Sequence, residues 1–189
     1  MGTRNLSLCK KDGQIKIAQY GQWDGYPSGQ GATILKFCQS KENLQRLESC
    51  LPKIHLVEEL PEFIEEYNAL APVTVRDIDK RTAQMKAWWA TLMSRDVGGE
   101  IFENIAYLDK SKMPMVMGDN IYISLYSDLE KTDNYCDIWI EYAYLINFDT
   151  NKLECYGYSK LLKEYDLDNL PSVEQFIEEL ESEEDNEEE

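Results

Sequence analysis

Hydrophobic and polar residues alternate at the start of the chain, where Leu6 and Leu8, then Ile15 and Ile17, flank Asp12-Gly13. Period-two alternation predicts half-buried strands, and Asp-Gly is favoured where a two-residue hairpin turn needs positive φ. An opening β-hairpin is therefore predicted. Residues 19–31 hold four glycines and a proline, which excludes regular structure and predicts a shaped loop carrying Trp23 and Tyr26. After it, the run from Ala32 to Cys38 reads as a helix start, and Leu44, Leu47 and Leu51 continue an apolar stripe at helical spacing.

Helical spacing governs the middle of the chain. Leu60, Phe63, Ile64 and Tyr67 form a short amphipathic face after Pro61, ended by Pro72. Ile78, Met85, Trp89 and Leu92, widened by Trp88, mark a longer helix over about 75–95, with Thr74 and Asp77 as its N-terminal cap. Gly98-Gly99 breaks the chain before Ile101, Ile105 and Leu108 define another helix. Residues 121–126 and 137–146 are instead rich in β-branched and aromatic residues, and 149–152 offers a turn into 153–158. These segments predict an antiparallel meander that completes one sheet with the opening hairpin. Ser172 and Gln175 form a capping box ahead of Val173, Phe176, Ile177 and Leu180, the apolar face of a terminal helix. The predicted class is α+β: one domain over 1–180, with helices from the middle and C-terminus packed on the sheet, and an acidic flexible tail over 181–189.

Charge changes this picture most. Over 189 residues, 36 acidic against 19 basic side chains give a formal net charge of −17. Nucleic-acid binders neutralise phosphates with Lys/Arg patches, so direct nucleic-acid binding is disfavoured and a basic protein partner is expected. Nine of the last twelve residues are acidic; with those nine removed the rest still carries −8. The five cysteines are odd in number, widely spread and lack a CxxC, so they are expected to be reduced thiols in a cytoplasmic protein. No apolar run approaches the ~20 residues that span a bilayer, and the first residues do not read as a secretory signal.

Several short motifs fail on inspection. Leu6 stands where myristoylation wants Ser or Thr, and the Asn5-Leu6-Ser7 sequon has no export signal to give it meaning. A terminal-nucleophile hydrolase would need Thr3 exposed at the N-terminus, whereas removal of Met1 exposes Gly2. His55 is the single histidine, which excludes a multi-histidine metal site, and the acidic tail lacks the spacing of a calcium loop. No metal or cofactor is expected. Met113, Met115 and Met117 alternate as a strand would.

Two readings of the 19–31 loop stand open. Bare amides at Gly29 and Gly31 beside a helix N-terminus can hold a phosphate or carboxylate, with Arg4, Asn5, Trp23, Asp24, Tyr26, Arg95 and Asp96 as a surrounding polar set. No dinucleotide fingerprint or P-loop accompanies the glycines. Alternatively, Trp23 and Tyr26 plug a core while the glycines permit the turn.

The opening Met1-Gly2-Thr3-Arg4-Asn5-Leu6 and the loop Gln19-Tyr20-Gly21-Gln22-Trp23-Asp24-Gly25-Tyr26-Pro27-Ser28-Gly29-Gln30-Gly31 resemble those of an uncharacterised family of phage, bacterial and fungal proteins. Residues 94–98 and 141–149 resemble two further signatures of that family, with Asn147 where an acidic residue is expected. The resemblance implies a phage or mobile-element origin and lends no activity. The expectation is thus an acidic interaction protein without a catalytic residue, inhibiting a basic nucleic-acid-binding defence effector in an anti-CRISPR-like manner. Its acidic contacts would be Glu178, Glu179, Glu181, Glu183, Glu184 and Asp185. A small-ligand binder or hydrolase built on the glycine-rich loop is the competing expectation.

Overall fold

A computed structural model describes residues 2–55, 98–107, 115–116, 140–158 and 160–185. The helices predicted near 61–72 and 75–95 and the strand predicted at 121–126 lie outside those residues, as do Arg95, Asp96, Met113, Met117 and Cys136.

The opening hairpin forms as its alternation requires. β1 (Asn5–Lys11) pairs antiparallel with β2 (Gln14–Gly21), and Asp12 and Gly13 between them both take positive φ, 53° and 71°. That pair of left-handed residues matches the right-handed twist of the flanking strands. The register shifts after Cys9, which pairs with Ile17 while Lys10 pairs with Ile15, so Lys16 bulges out.

The 19–31 run expected to be irregular is so only over 22–26: Gln19–Gly21 finish β2, and a wide π-type turn (Pro27–Gly31), its glycines permitting the tight packing, runs directly into α1 (Ala32–Cys38). α2 (Lys41–Cys50) begins at Ser40, whose side chain accepts from the Asn43 amide, and it buries Leu44, Leu47 and Cys50 on one face. A 3₁₀ turn (Leu51–Lys53) leads into β3 (Ile54–His55). A second 3₁₀ turn (Gly98–Glu100) precedes α3 (Ile101–Ala106), which buries Ile101, Phe102 and Ile105. β4 (Met115–Val116) pairs in parallel with β3, so Met115 does lie in a strand.

β5 (Tyr142–Asn147) lies parallel to β1, and β6 (Lys152–Gly157) and β7 (Lys160–Asp166) follow as an antiparallel meander. The five-stranded order is β2-β1-β5-β6-β7. Hairpin and meander therefore do share one sheet, and the fold is α+β. The third meander strand is Lys160–Asp166, a segment whose charged residues mask its period in the sequence: only Tyr165 of it is buried. β5 is buried along its whole length because it is central, with β1 on one side and β6 on the other.

The alternation of β1 divides the core. Cys9 joins Ile17, Tyr144, Ile146 and Cys155 under α1, α2 and α3, where Phe37 and Phe102 meet at 5.9 Å between ring centres. Leu6 and Leu8 face the other way, buried with Ala18, Ala143, Leu145 and Tyr156. α4 (Val173–Asp185) closes the first side by burying Phe176 and Leu180, with Val173 and Ile177 packed against the cluster. Ser172 caps it by accepting from the Gln175 amide at 3.2 Å. The predicted capping box is otherwise half-made, because the Gln175 side chain donates down the helix to Glu179 at 2.8 Å. The helix continues to Asp185, so residues 181–185 of the expected acidic tail are helical.

Candidate functional site

β1 and β5 run parallel, so their first residues arrive at the same end of the sheet, where β2 ends at Gly21 within the 19–31 loop. Arg4 and Glu141 clasp there. The Arg4 amide donates to the Glu141 carboxylate, and the amides of Glu141 and Tyr142 both donate to the Arg4 carbonyl at 3.2 Å.

Asn5 is completely buried, and its side-chain amide donates to the carbonyls of Gly21 at 3.4 Å and Trp23 at 3.2 Å. It pins the loop from below and does not face solvent. The loop then folds on itself through its own amides. Gly25 donates to Thr3, Gln30 to Asp24, and both Gly29 and Gly31 to the Tyr26 carbonyl. Tyr144 rises from β5 to donate its hydroxyl to the Gly25 carbonyl at 2.8 Å. The chain packs so closely that a Cβ on Gly31 would lie 2.8 Å from the Tyr144 hydroxyl, and one on Gly29 would lie 2.2 Å from the Asp24 carbonyl oxygen.

This geometry bears on both readings of the loop. The Gly29 and Gly31 amides that an anion would need are engaged within the loop. Trp23 and Tyr26 do not plug a core either: they are 55% and 39% exposed. Tyr144 fills the space beneath Gly25 and Gly31, so the aromatic side chains of the loop are left outside. Asp24 sits between them, exposed, at φ 55°, and its carboxylate accepts the Tyr26 hydroxyl at 3.1 Å. That hydrogen bond, and the adjacent negative charge, hold the Tyr26 phenol above its ordinary pKa, so Tyr26 remains the donor.

Of the residues singled out from sequence, Arg4, Asn5, Trp23, Asp24, Tyr26, Gly29 and Gly31 do meet at one end of the sheet. Arg95 and Asp96 lie outside the described residues. Sequence reasoning missed Glu141, Tyr144 and Gln30, whose side-chain oxygen accepts the Gly99 amide at 2.7 Å. Tyr144 and Glu141 read simply as strand residues; only the parallel β1–β5 register brings them under the loop.

The acidic helix divides its carboxylates. Glu178 and Glu181 are exposed. Glu179 instead accepts from Gln175, from the Tyr165 hydroxyl at 3.0 Å and from the Lys163 ammonium at 3.2 Å, and these bonds hold its carboxyl below the ordinary range. Glu183, Glu184 and Asp185 continue the helix backbone. Cys9, Cys38, Cys50 and Cys155 are buried free thiols, and burial raises the pKa of Cys9, Cys38 and Cys155. Among the described residues, no group of three or more His, Cys, Asp or Glu side chains is placed to hold a metal ion, and no helix is long and apolar enough to cross a membrane.

Comparison with protein-family models, with curated proteins and with solved structures finds no match.

Proposed function

We propose that this protein is an acidic binding protein that engages a basic, nucleic-acid-binding protein, with the loop at the sheet end as its point of contact. The observation that carries this reading is the orientation of the loop: its amides turn inward to its own carbonyls while Trp23 and Tyr26 turn outward. A small-ligand cradle needs the reverse arrangement. Exposed aromatic residues on a braced backbone are the residue types that anchor protein interfaces, since they bring large contact area at low conformational cost.

The formal charge of −17 selects the partner. A negative field speeds encounter with a positively charged nucleic-acid channel and can occupy it in place of the phosphate backbone. Inhibition of a basic defence effector of a bacterial host, as an anti-CRISPR protein inhibits its target, is the version of this reading with the most specific consequence. It requires no catalytic residue and no cofactor.

The test is capture of partners from bacterial lysate at low and high salt, followed by competition with nucleic acid for whatever is retained. Salt-sensitive retention of a nucleic-acid-binding protein, released by added nucleic acid, is the expected outcome. Retention of nothing basic at any salt concentration sinks the reading.

A further inference from the structure

The chain shows elsewhere how it satisfies an exposed aromatic ring beside a carboxylate. On α2, Arg46 donates to Glu42 through Nε at 2.9 Å and through Nη2 at 2.8 Å. Its guanidinium carbon lies 4.8 Å from the centre of the Tyr107 ring, which is 46% exposed. Carboxylate, ring and guanidinium make a complete set: one carboxylate oxygen takes two N–H donors and the cation lies over the ring face.

The loop displays two of those three parts. Trp23 and Tyr26 are exposed rings, and Asp24, between them in the sequence, is an exposed carboxylate. The parts are also held in place before any partner arrives. Asn5 fixes the Trp23 carbonyl, Gln30 fixes that of Asp24, Tyr144 fixes that of Gly25, and the Tyr26 hydroxyl orients the Asp24 carboxylate. A carboxylate oriented in advance on a braced backbone loses little entropy on binding.

From this we infer that the Trp23-Asp24-Tyr26 projection is a receptor for an arginine side chain, presented by a basic segment of the partner protein. The inference rests on the acidic-binder reading above and names the chemistry of its anchor. Arginine is favoured over lysine because its planar, weakly hydrated guanidinium can stack on the indole and still direct N–H groups at the Asp24 carboxylate. An ammonium offers a point charge that gains less from the ring and more from bulk water.

Binding of matched oligo-arginine and oligo-lysine peptides, measured by calorimetry at two salt concentrations, tests it. The wild-type protein should bind the arginine peptide about threefold to tenfold more tightly than the lysine peptide. Trp23→Ala should weaken arginine-peptide binding about tenfold and erase the preference, Trp23→Phe should retain part of it, and Asp24→Asn should erase it as well. Leu161→Ala, which removes an equally exposed apolar side chain on β7, is the control. Far-UV circular dichroism establishes that each variant is folded. Salt-dependent binding with no arginine preference, or a loss in Leu161→Ala as large as in Trp23→Ala, overturns the arginine receptor and leaves the acidic-binder reading intact. Absence of binding to either peptide by the wild type overturns both.

Discussion

Ser7 lies on the covered face of β1 with its hydroxyl completely buried and, among the described residues, without a hydrogen-bond partner. A buried hydroxyl left unpaired costs about 1–3 kcal/mol relative to one that is satisfied. Ser7→Ala keeps the Cβ and removes the orphaned oxygen, so it is expected to stabilise the protein by about 1 kcal/mol, read as a higher urea midpoint at unchanged m-value. A lower midpoint would show that an internal water satisfies the hydroxyl. Asn147 is the opposite case, buried and fully used. Its amide donates to Glu154 at 2.8 Å, and its carbonyl oxygen accepts from the backbone of Asp149 and Thr150. Donor and acceptor atoms of the amide are thus both in use. Asn147→Asp keeps the acceptor and turns the donor into a second carboxylate facing Glu154. The expected loss is about 1–3 kcal/mol at neutral pH, shrinking as the solution is acidified to about pH 4 and one carboxyl takes up a proton. Urea titrations at the two pH values check it.

At the scale of elements, α4 shows why a string of glutamates cannot be read as a uniform tail. Phe176 and Leu180 recur at i and i+4 on the buried face, and Glu179 between them reaches Tyr165 and Lys163 on β7. Its carboxyl pKa is lowered on folding, so its contribution to stability is present above the ordinary carboxylate range and is lost as pH falls through the lowered value. Glu179→Gln should lower Tm by about 2–4 °C at pH 7, an effect of order 1 kcal/mol because the pair is partly solvated. The gap to wild type should close in acid, where both proteins carry a neutral side chain. The spacing of Val173, Phe176, Ile177 and Leu180 was enough to place this helix, just as Asp12-Gly13 placed the first hairpin. β7 was not legible because its charged residues conceal its partnership with β6, and the 19–31 run read as irregular throughout although its ends join β2 and a π-type turn. Its carbonyls are held by Tyr144 and Asn5, residues far from it in sequence or hidden beneath it.

At the scale of the molecule, the terminal acidic segment is part fold and part field. Truncation after Ser182 removes six acidic residues and leaves Glu179 and Leu180 in place. It is expected to leave the urea midpoint unchanged and to slow association with a basic partner at low salt, with the difference vanishing at high salt as screening shortens the reach of the charges. Truncation after Ile177 also removes the buried Leu180, and should cost about 2–5 kcal/mol as a large core side chain is lost. Stopped-flow binding and denaturation of the two truncations separate the electrostatic role of the segment from its structural one.

The sequence by itself determined the α+β class, the hairpin at Asp12-Gly13, the helical runs after the loop and at the C-terminus, and the net acidity of the chain. Each of these depends on local periodicity, on the φ preference of one or two residues, or on a sum over composition, and none requires knowing what lies opposite in space. The tertiary structure decided the parallel pairing of β1 with β5, the identity of the third meander strand, and the outward turn of Trp23 and Tyr26. Those features depend on long-range competition for the same space and the same hydrogen bonds. Tyr144, 119 residues from Gly25 in the chain, packs against Gly31 and holds the Gly25 carbonyl from beneath the loop.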